Sequence, residues 1–234
     1  MKKVTLGTVI IEVTRRCNMK CGHCLRGPAQ KKDQTKENID KLLSQTDYIS
    51  DLTFTGGEPS LVPEIIEYTL EAAKRYGVNV GNFYIVTNGK KVTEKFALAC
   101  LKWYAYCDDN EVTSVELSQD AFHDEEGQDD YDILKGLSFF SLRERSDSDG
   151  VTPEGRAKDW GTGRELDRES FYVDEEENGF RISEGMVYLN CKGELIGGCD
   201  WSYRNQTKHK ICDVGKMSLN AFEAFGAEIE YQGV

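Results

Sequence analysis

The order of apolar runs in the first 140 residues constrains the fold most. Short β-branched runs alternate there with stretches of helical period. Residues 8–13, 49–54, 83–86 and 112–117 read as strands. Between them, Ile39, Leu42 and Leu43 recur at helical spacing within residues 35–45. Pro63 suits the first turn of a second helix, Ile65, Ile66, Leu70 and Ala73 give its apolar face, and Gly77 stops it. Phe96, Leu98, Leu101 and Tyr104 mark a third helix, and residues 130–140 are expected to form a fourth. This alternation predicts parallel pairing, hence an α/β sheet or barrel with helices outside.

The second half is less regular. Residues 146–169 are polar and glycine-containing and read as loop. Residues 171–173, 180–182 and 186–189 look like short strands, with 195–196 completing a hairpin and 219–225 forming a short terminal helix. Residues 1–150 thus read as the α/β core. Residues 151–234 read as its end plus a cap, in one continuous domain.

The chain of 234 residues carries a net charge of −12. That surplus of acid disfavours nucleic acid and anionic lipid as partners, since both are held by basic faces. No stretch approaches the roughly 18 apolar residues of a membrane span. The apolar run after Met1-Lys2-Lys3 is interrupted by Thr8 and Glu12, which is too polar for a signal peptide. A cytoplasmic location is expected. There the eight cysteines are better explained by metal or redox chemistry than by disulfides. The acidic runs at 124–126 and 174–177 read as solvated loop charges.

One pattern concentrates three of those cysteines. Cys17-Asn18-Met19-Lys20-Cys21-Gly22-His23-Cys24 follows the first strand directly. Loops at the C-terminal ends of parallel strands are where α/β folds build sites. Thiolates spaced C-x3-C-x2-C can hold three irons of a [4Fe–4S] cluster and leave the fourth open. On spacing alone, the alternative is a zinc site completed by His23 or a distant cysteine. The second strand then ends in Gly56-Gly57-Glu58-Pro59. Its glycines let backbone approach a ligand closely, and Glu58 offers an acceptor to a cation. Read alone, the segment is a turn with an acid at a helix start.

Taken together, the two motifs resemble the radical S-adenosylmethionine superfamily. Val86-Thr87-Asn88-Gly89 after the third strand and Ser118-Gln119-Asp120 after the fourth support the resemblance, in the superfamily's usual order. It implies a partial (β/α)6 TIM-type barrel with a short C-terminal β-hairpin and helix cap. It also implies that Cys17, Cys21 and Cys24 ligate a [4Fe–4S] cluster whose open iron takes the amino and carboxylate groups of S-adenosylmethionine. Gly56, Gly57 and Glu58 would hold the ammonium, Glu58 as a charge-assisted acceptor. An electron, supplied by an external flavodoxin- or ferredoxin-type donor, would cleave the sulfonium to methionine and a 5′-deoxyadenosyl radical that abstracts hydrogen from a substrate.

His23 stands where relatives often carry an aromatic residue near the adenine. Its imidazole either packs the adenine or supports the loop. Thr87, Asn88, Ser118 and Asp120 match positions that touch the cofactor's ribose or methionyl part. Such residues also end strands for local reasons. The glycine-rich signal that relatives often carry after the fifth strand is missing, and no catalytic side chain is assigned.

Glu154-Gly155-Arg156-Ala157 resembles a segment of peptide- and protein-modifying members. Arg156 would bind a carboxylate or make a surface salt bridge. Residues 187–202 resemble the hairpin that opens the SPASM/twitch extension, which carries auxiliary clusters. The glycine-to-cysteine spacing is one residue longer than the commonest form, and only Cys191, Cys199 and Cys212 are available for such a cluster. The alternative is a capping hairpin, with Cys199 near the substrate. Cys100 and Cys107 read as buried packing, and His123 as a loop histidine. The expected substrate is a peptide or small protein. A nucleotide or other small molecule, as in viperin-like or deazaguanine-forming members, is the rival. A non-catalytic iron–sulfur or zinc protein is the rival from another class.

Overall fold

A computed structural model describes residues 3–124, 130–144, 151–160, 166 and 169–232. The first half alternates as expected: β1 (Lys3–Thr14), α1 (Lys36–Leu43), β2 (Thr46–Gly56), α2 (Pro63–Tyr76), β3 (Asn79–Thr87), α3 (Glu94–Tyr104) and β4 (Ser114–Gln119). The helix ends follow local chemistry. The Thr35 and Thr93 side chains accept from the backbone N–H groups of Asn38 and Phe96, capping α1 and α3. Pro63 opens α2, and Gly77 closes it in the left-handed conformation at φ +67°. Further along come α4 (Ala121–Asp124), β5 (Phe140–Glu144), β6 (Tyr172–Glu176), β7 (Gly179–Leu189), β8 (Glu194–Gly197), β9 (Lys210–Asp213) and α5 (Leu219–Gln232).

The strands form one sheet in the order β5-β4-β3-β2-β1-β7-β8-β9, with β6 paired to β7. Strands β1 to β5 are parallel neighbours, and β7 joins β1 in parallel on the other side. The fold is thus the expected mostly parallel α/β type, and the sheet is not closed. The sixth parallel strand lies beside β1, and β8 and β9 extend the sheet from β7 in antiparallel pairing.

Four local readings change. Residues 130–140 contain only a 3-10 turn over Asp132–Gly136, in which Leu134 alone is buried; the other buried residue, Phe139, lies five positions on, off the helical stripe a longer helix would need. The fifth strand starts at Phe140, on the outer edge of the sheet. α3 buries Phe96, Ala99, Cys100 and Trp103, a cleaner helical stripe than the expected one, and leaves Leu98 and Leu101 exposed. The segments 180–182 and 186–189 are one strand, β7, which passes through Gly185 at φ +87°. The acidic residues 174–176 lie on β6 rather than in a loop; residues 125 and 126 fall outside the described set.

The core of α1, α2, α3 and α5 packs on one face of the sheet, with Val9, Ile11, Val13, Phe54, Phe83, Trp103 and Phe222 at its centre. The opposite face carries a smaller cluster of Ile10, Tyr188, Ile196 and Trp201. Parallel pairing brings the C-terminal ends of β1 to β5 to one edge, and all four sequence motifs leave from that edge. Among the described residues, no helix is long and apolar enough to cross a membrane.

Candidate active site

The cysteine loop is tied at its base. Chain returning from it hydrogen-bonds back onto the end of β1: Arg15 N–H to the Lys32 carbonyl (2.7 Å), Gln30 N–H to the Arg15 carbonyl (2.9 Å) and Gln34 N–H to the Val13 carbonyl (2.9 Å). Gly57 and Glu58 N–H donate to the Thr14 and Arg16 carbonyls at 2.7 and 2.8 Å. A Cβ on Gly56 or Gly57 would collide with those same two carbonyl oxygens, and Gly56 sits at φ +150°. These glycines are therefore required for backbone to lie on backbone, a local reason beside the close approach to a ligand expected from the sequence.

Glu58 is 1% exposed. Its Oε1 accepts from Thr87 Oγ1 (2.7 Å) and Ser60 N–H (2.9 Å), and its Oε2 accepts from Asn88 N–H (2.8 Å). Burial pushes its carboxyl above the ordinary range, against the pull of those donors. The carboxylate thus fastens the end of β2 to the end of β3. A carboxylate has about four lone-pair directions, so three donors leave one for a cationic ligand. The Asn88 side chain donates to Asn18 Oδ1 (2.9 Å), and Asn18 donates to the Lys90 carbonyl (2.5 Å), which ties the cysteine loop to β3. Ser118 is half-buried at the end of β4.

His23 belongs to a second group of residues. Its Nε2 lies 3.6 Å from Asp120 Oδ2, and His123 Nδ1 lies 2.7 Å from Asp120 Oδ1. The His23 ring lies 4.6 Å from Phe122 and 5.1 Å from His123, and Phe122 in turn meets Trp160 at 5.3 Å. Burial works against the charge on Asp120, but the hydrogen bond and charge of His123 outweigh it and hold the carboxyl below its ordinary range. His123, read as a loop histidine, is thus part of the same constellation.

Arg156 binds the backbone of the cysteine loop. Its N–H donates to the Cys24 carbonyl (2.9 Å) and its guanidinium to the Cys21 carbonyl (3.1 Å). Gly155 lies so close to the Leu25 and Cys24 carbonyls that a Cβ would collide with them. The segment therefore clamps the cysteine loop from outside.

The C-terminal cysteines are not brought together. Cys212 pairs across from Leu195 and packs with the helix-side core, whereas Cys199 packs with Met186 and the cluster on the opposite face. Cys191 is buried, with its thiol on the Glu12 carbonyl at 3.3 Å. Cys100 and Cys107 are buried packing, as expected.

One buried polar network escaped the sequence reading. Glu12 is 0% exposed and its partner Arg15 is 1% exposed. Glu12 accepts from Arg15 Nε (2.5 Å), Tyr188 OH (2.8 Å), Gln206 Nε2 (2.9 Å) and Cys191 N–H (2.9 Å). The network locks β1 to β7 directly beneath the cysteine loop. The available signal was an acid inside an apolar strand, since a buried charge requires a partner.

The thiols themselves can be tested against a metal. A tetrahedral zinc ion with Zn–S of about 2.3 Å holds its sulfurs about 3.8 Å apart. Among the described residues, the one trio of metal-binding side chains within 4.8 Å of one another is His23, Asp120 and His123. The sulfurs of Cys17, Cys21 and Cys24 do not all lie within that distance of one another, and the His23 Nε2 faces Asp120. Three soft thiolates on one braced loop, each able to take a separate iron, suit an iron–sulfur cluster. Burial pushes the Cys17 thiol up to about 11, so binding iron would displace its proton.

The Radical SAM superfamily model matches residues 11–139, over half of the chain. An uncharacterized protein of Methanocaldococcus jannaschii is 32% identical over 97 residues, which cover 38% of this chain and 32% of that protein. The match thus spans about a third of the relative's length. Native anSMEcpe, solved with bound AdoMet and the Kp18Cys peptide and again with the Cp18Cys peptide, superposes with a TM-score of 0.57 at 11% identity. Each superposition covers 96% of this chain and 82% of that one, a likeness of fold.

Proposed function

The chain belongs to the radical SAM superfamily, and from that premise we propose that it is an enzyme that reductively cleaves S-adenosylmethionine at a [4Fe–4S] cluster. The observation that carries the reading is the position of three thiols on one braced loop, at the sheet edge that also presents Glu58, Asn88 and Asp120. Cys17, Cys21 and Cys24 would hold the cluster. When bound, the cluster and S-adenosylmethionine supply the electron and the 5′-deoxyadenosyl radical that takes a hydrogen atom from the substrate.

The protein's own residues orient and shield. Arg156 and the return segment 30–34 hold the cysteine loop in place. The unused lone pair of Glu58 would accept the cofactor's ammonium beside the Gly56-Gly57 backbone, a charge-assisted bond in a buried setting. Asn88, Ser118 and Asp120 would line the remaining polar edge. His23, held by Asp120 and Phe122, would offer its ring to the adenine.

A peptide or small protein is the favoured substrate. The resemblance of residues 154–157 to peptide-modifying members supports it, as do the peptides bound to the fold neighbours. A specific observation favours a second reading. Thr53, Tyr84 and Glu116 alternate with helix-side residues and lie half-buried on the sheet face away from the helices, where the Tyr84 hydroxyl donates to Glu116. Such a polar face suits a nucleotide or other small polar substrate.

The test is incubation of anaerobically reconstituted protein with dithionite and S-adenosylmethionine. Release of 5′-deoxyadenosine is expected. A cluster-loaded sample that releases none sinks the proposal. Deuterium transferred into that product from a labelled peptide or a labelled nucleotide separates the two substrate classes.

A further inference from the structure

We propose that the face built from residues 26–32 and 201–210 docks an acidic protein electron carrier beside Cys24. The proposal rests on the enzyme reading above. It starts from a local reversal of charge. The chain carries −12 overall, yet Arg26, Lys158, Arg204 and Lys208 line one cleft of about 460 Å³. Among the described residues, Glu154 is the one acid lining it. Its carboxylate is occupied by Ser202 N–H at 3.0 Å and the Asn205 amide at 2.7 Å. Among the described residues, Lys158 makes one ion-pair contact, with the neighbouring Asp159 at 3.9 Å. Among the described residues, Arg204 and Lys208 form no ion pair.

The cleft is built onto the third thiol's segment. Arg26 follows Cys24 by two residues, and its carbonyl accepts from Tyr203 N–H at 3.2 Å. The Arg26 guanidinium donates to the Trp201 carbonyl at 2.7 Å and lies over Tyr188. Next to the lining residue Gly155, Arg156 N–H donates to the Cys24 carbonyl at 2.9 Å. A carrier seated here would sit one short loop away from a cluster on Cys24.

The chemistry favours a large acidic partner over a small anion. Lys158, Arg204 and Lys208 are exposed, so their charge is carried on long solvated chains rather than gathered by buried donors. Such a rim steers a charged surface and sets its association rate. The acidic remainder of the molecule would repel that partner elsewhere and so select this face. The step is one electron. A low-potential flavin or iron–sulfur carrier is oxidised by one, the cluster is reduced by one, and no bond or proton changes hands across the interface.

The experiment is calorimetric titration of an acidic flavodoxin into the full chain at low salt. The wild type should bind, and binding should weaken steeply as salt rises. Lys158→Glu/Arg204→Glu/Lys208→Glu should raise Kd by about tenfold or more, while the control Lys74→Glu/Lys95→Glu on the helix side leaves it unmoved. Equal Kd for wild type and triple variant overturns the proposal, as does a wild type that takes inorganic phosphate but no flavodoxin. Dithionite needs no docking face, so the two readings fail separately. Loss of dithionite-driven cleavage in the wild type overturns the enzyme reading, and an unmoved Kd overturns the docking face.

Discussion

Glu12→Gln should destabilise the fold by about 3–5 kcal/mol, the usual cost of breaking a buried ion pair from one side. The structure shows why the cost is high. Removing the charge leaves the Arg15 guanidinium, 1% exposed, with only the neutral acceptors of Gln30 and Gln206 and the face of Tyr203. The new amide must also turn an NH2 toward two donors. On the Oε1 side those are Arg15 Nε and Cys191 N–H; on the Oε2 side they are Tyr188 OH and Gln206 Nε2. The Tyr188 hydroxyl can rotate to accept, whereas the Gln206 amide can turn only by giving up its bond to Arg15. For a chain of this size, each kcal/mol moves Tm by about 2–4 °C, so the drop should be about 6–20 °C.

Arg15→Met should be comparably harmful, because it strands the carboxylate. Glu12→Gln/Arg15→Met should cost less than the sum of the two, with a coupling of about 2–3 kcal/mol in urea melts of unchanged m. Single costs below about 1 kcal/mol, or strict additivity, would refute the reasoning. The pH dependence has a definite sign. Burial alone would raise the Glu12 carboxyl, but the Arg15 charge and the hydrogen bonds from Arg15, Gln206 and Cys191 N–H hold it below its ordinary value of 4.5. A depressed carboxyl stabilises above its unfolded pKa and loses that contribution as pH falls through the folded one. The wild type should therefore shed stability as pH falls below about 4.5, and Glu12→Gln should shed less over the same window.

Other perturbations target the site more narrowly. Cys17→Ala, Cys21→Ala and Cys24→Ala should each abolish 5′-deoxyadenosine release. Because Cys199 and Cys212 lie on opposite faces, the triple variant should retain almost no iron by elemental analysis; substantial residual iron would instead reveal a second cluster. Gly57→Ala should cost about 1–3 kcal/mol and lower iron loading, since its Cβ meets the Arg16 carbonyl; wild-type melting and loading would contradict this. Glu58→Gln presents an amide to the three donors Thr87, Ser60 N–H and Asn88 N–H. It should cost about 1–3 kcal/mol and weaken S-adenosylmethionine binding by isothermal titration.

Much of the first half was legible because its signals are local. β1 to β4 are β-branched runs with turn residues at their ends, and α1 to α3 carry threonine caps, a first-turn proline or a terminal glycine. The misread segments lack such signals. Phe140–Glu144 is a short edge strand whose Leu142 stays 49% exposed, so it shows no clean alternation. The placement of β7 beside β1 is a pairing between residues far apart in sequence, and no local pattern encodes it. The site divides in the same way. The cysteine, glycine-glutamate and strand-end motifs were visible as spacing. Glu12 appeared as one acid within a strand, and its partners Tyr188, Cys191 and Gln206 come from nearly two hundred residues away. Arg156 offered a charge to the sequence reading, and only the fold shows it bound to the backbone of Cys21 and Cys24.

The central claim is that Cys17, Cys21 and Cys24 hold a cluster with one iron left for S-adenosylmethionine. Electron paramagnetic resonance of the reduced, reconstituted protein tests this most directly. A [4Fe–4S] signal whose g-values shift on adding S-adenosylmethionine, and which disappears in Cys24→Ala, is the predicted result. A fully loaded cluster whose signal saturating S-adenosylmethionine leaves unmoved would contradict the account.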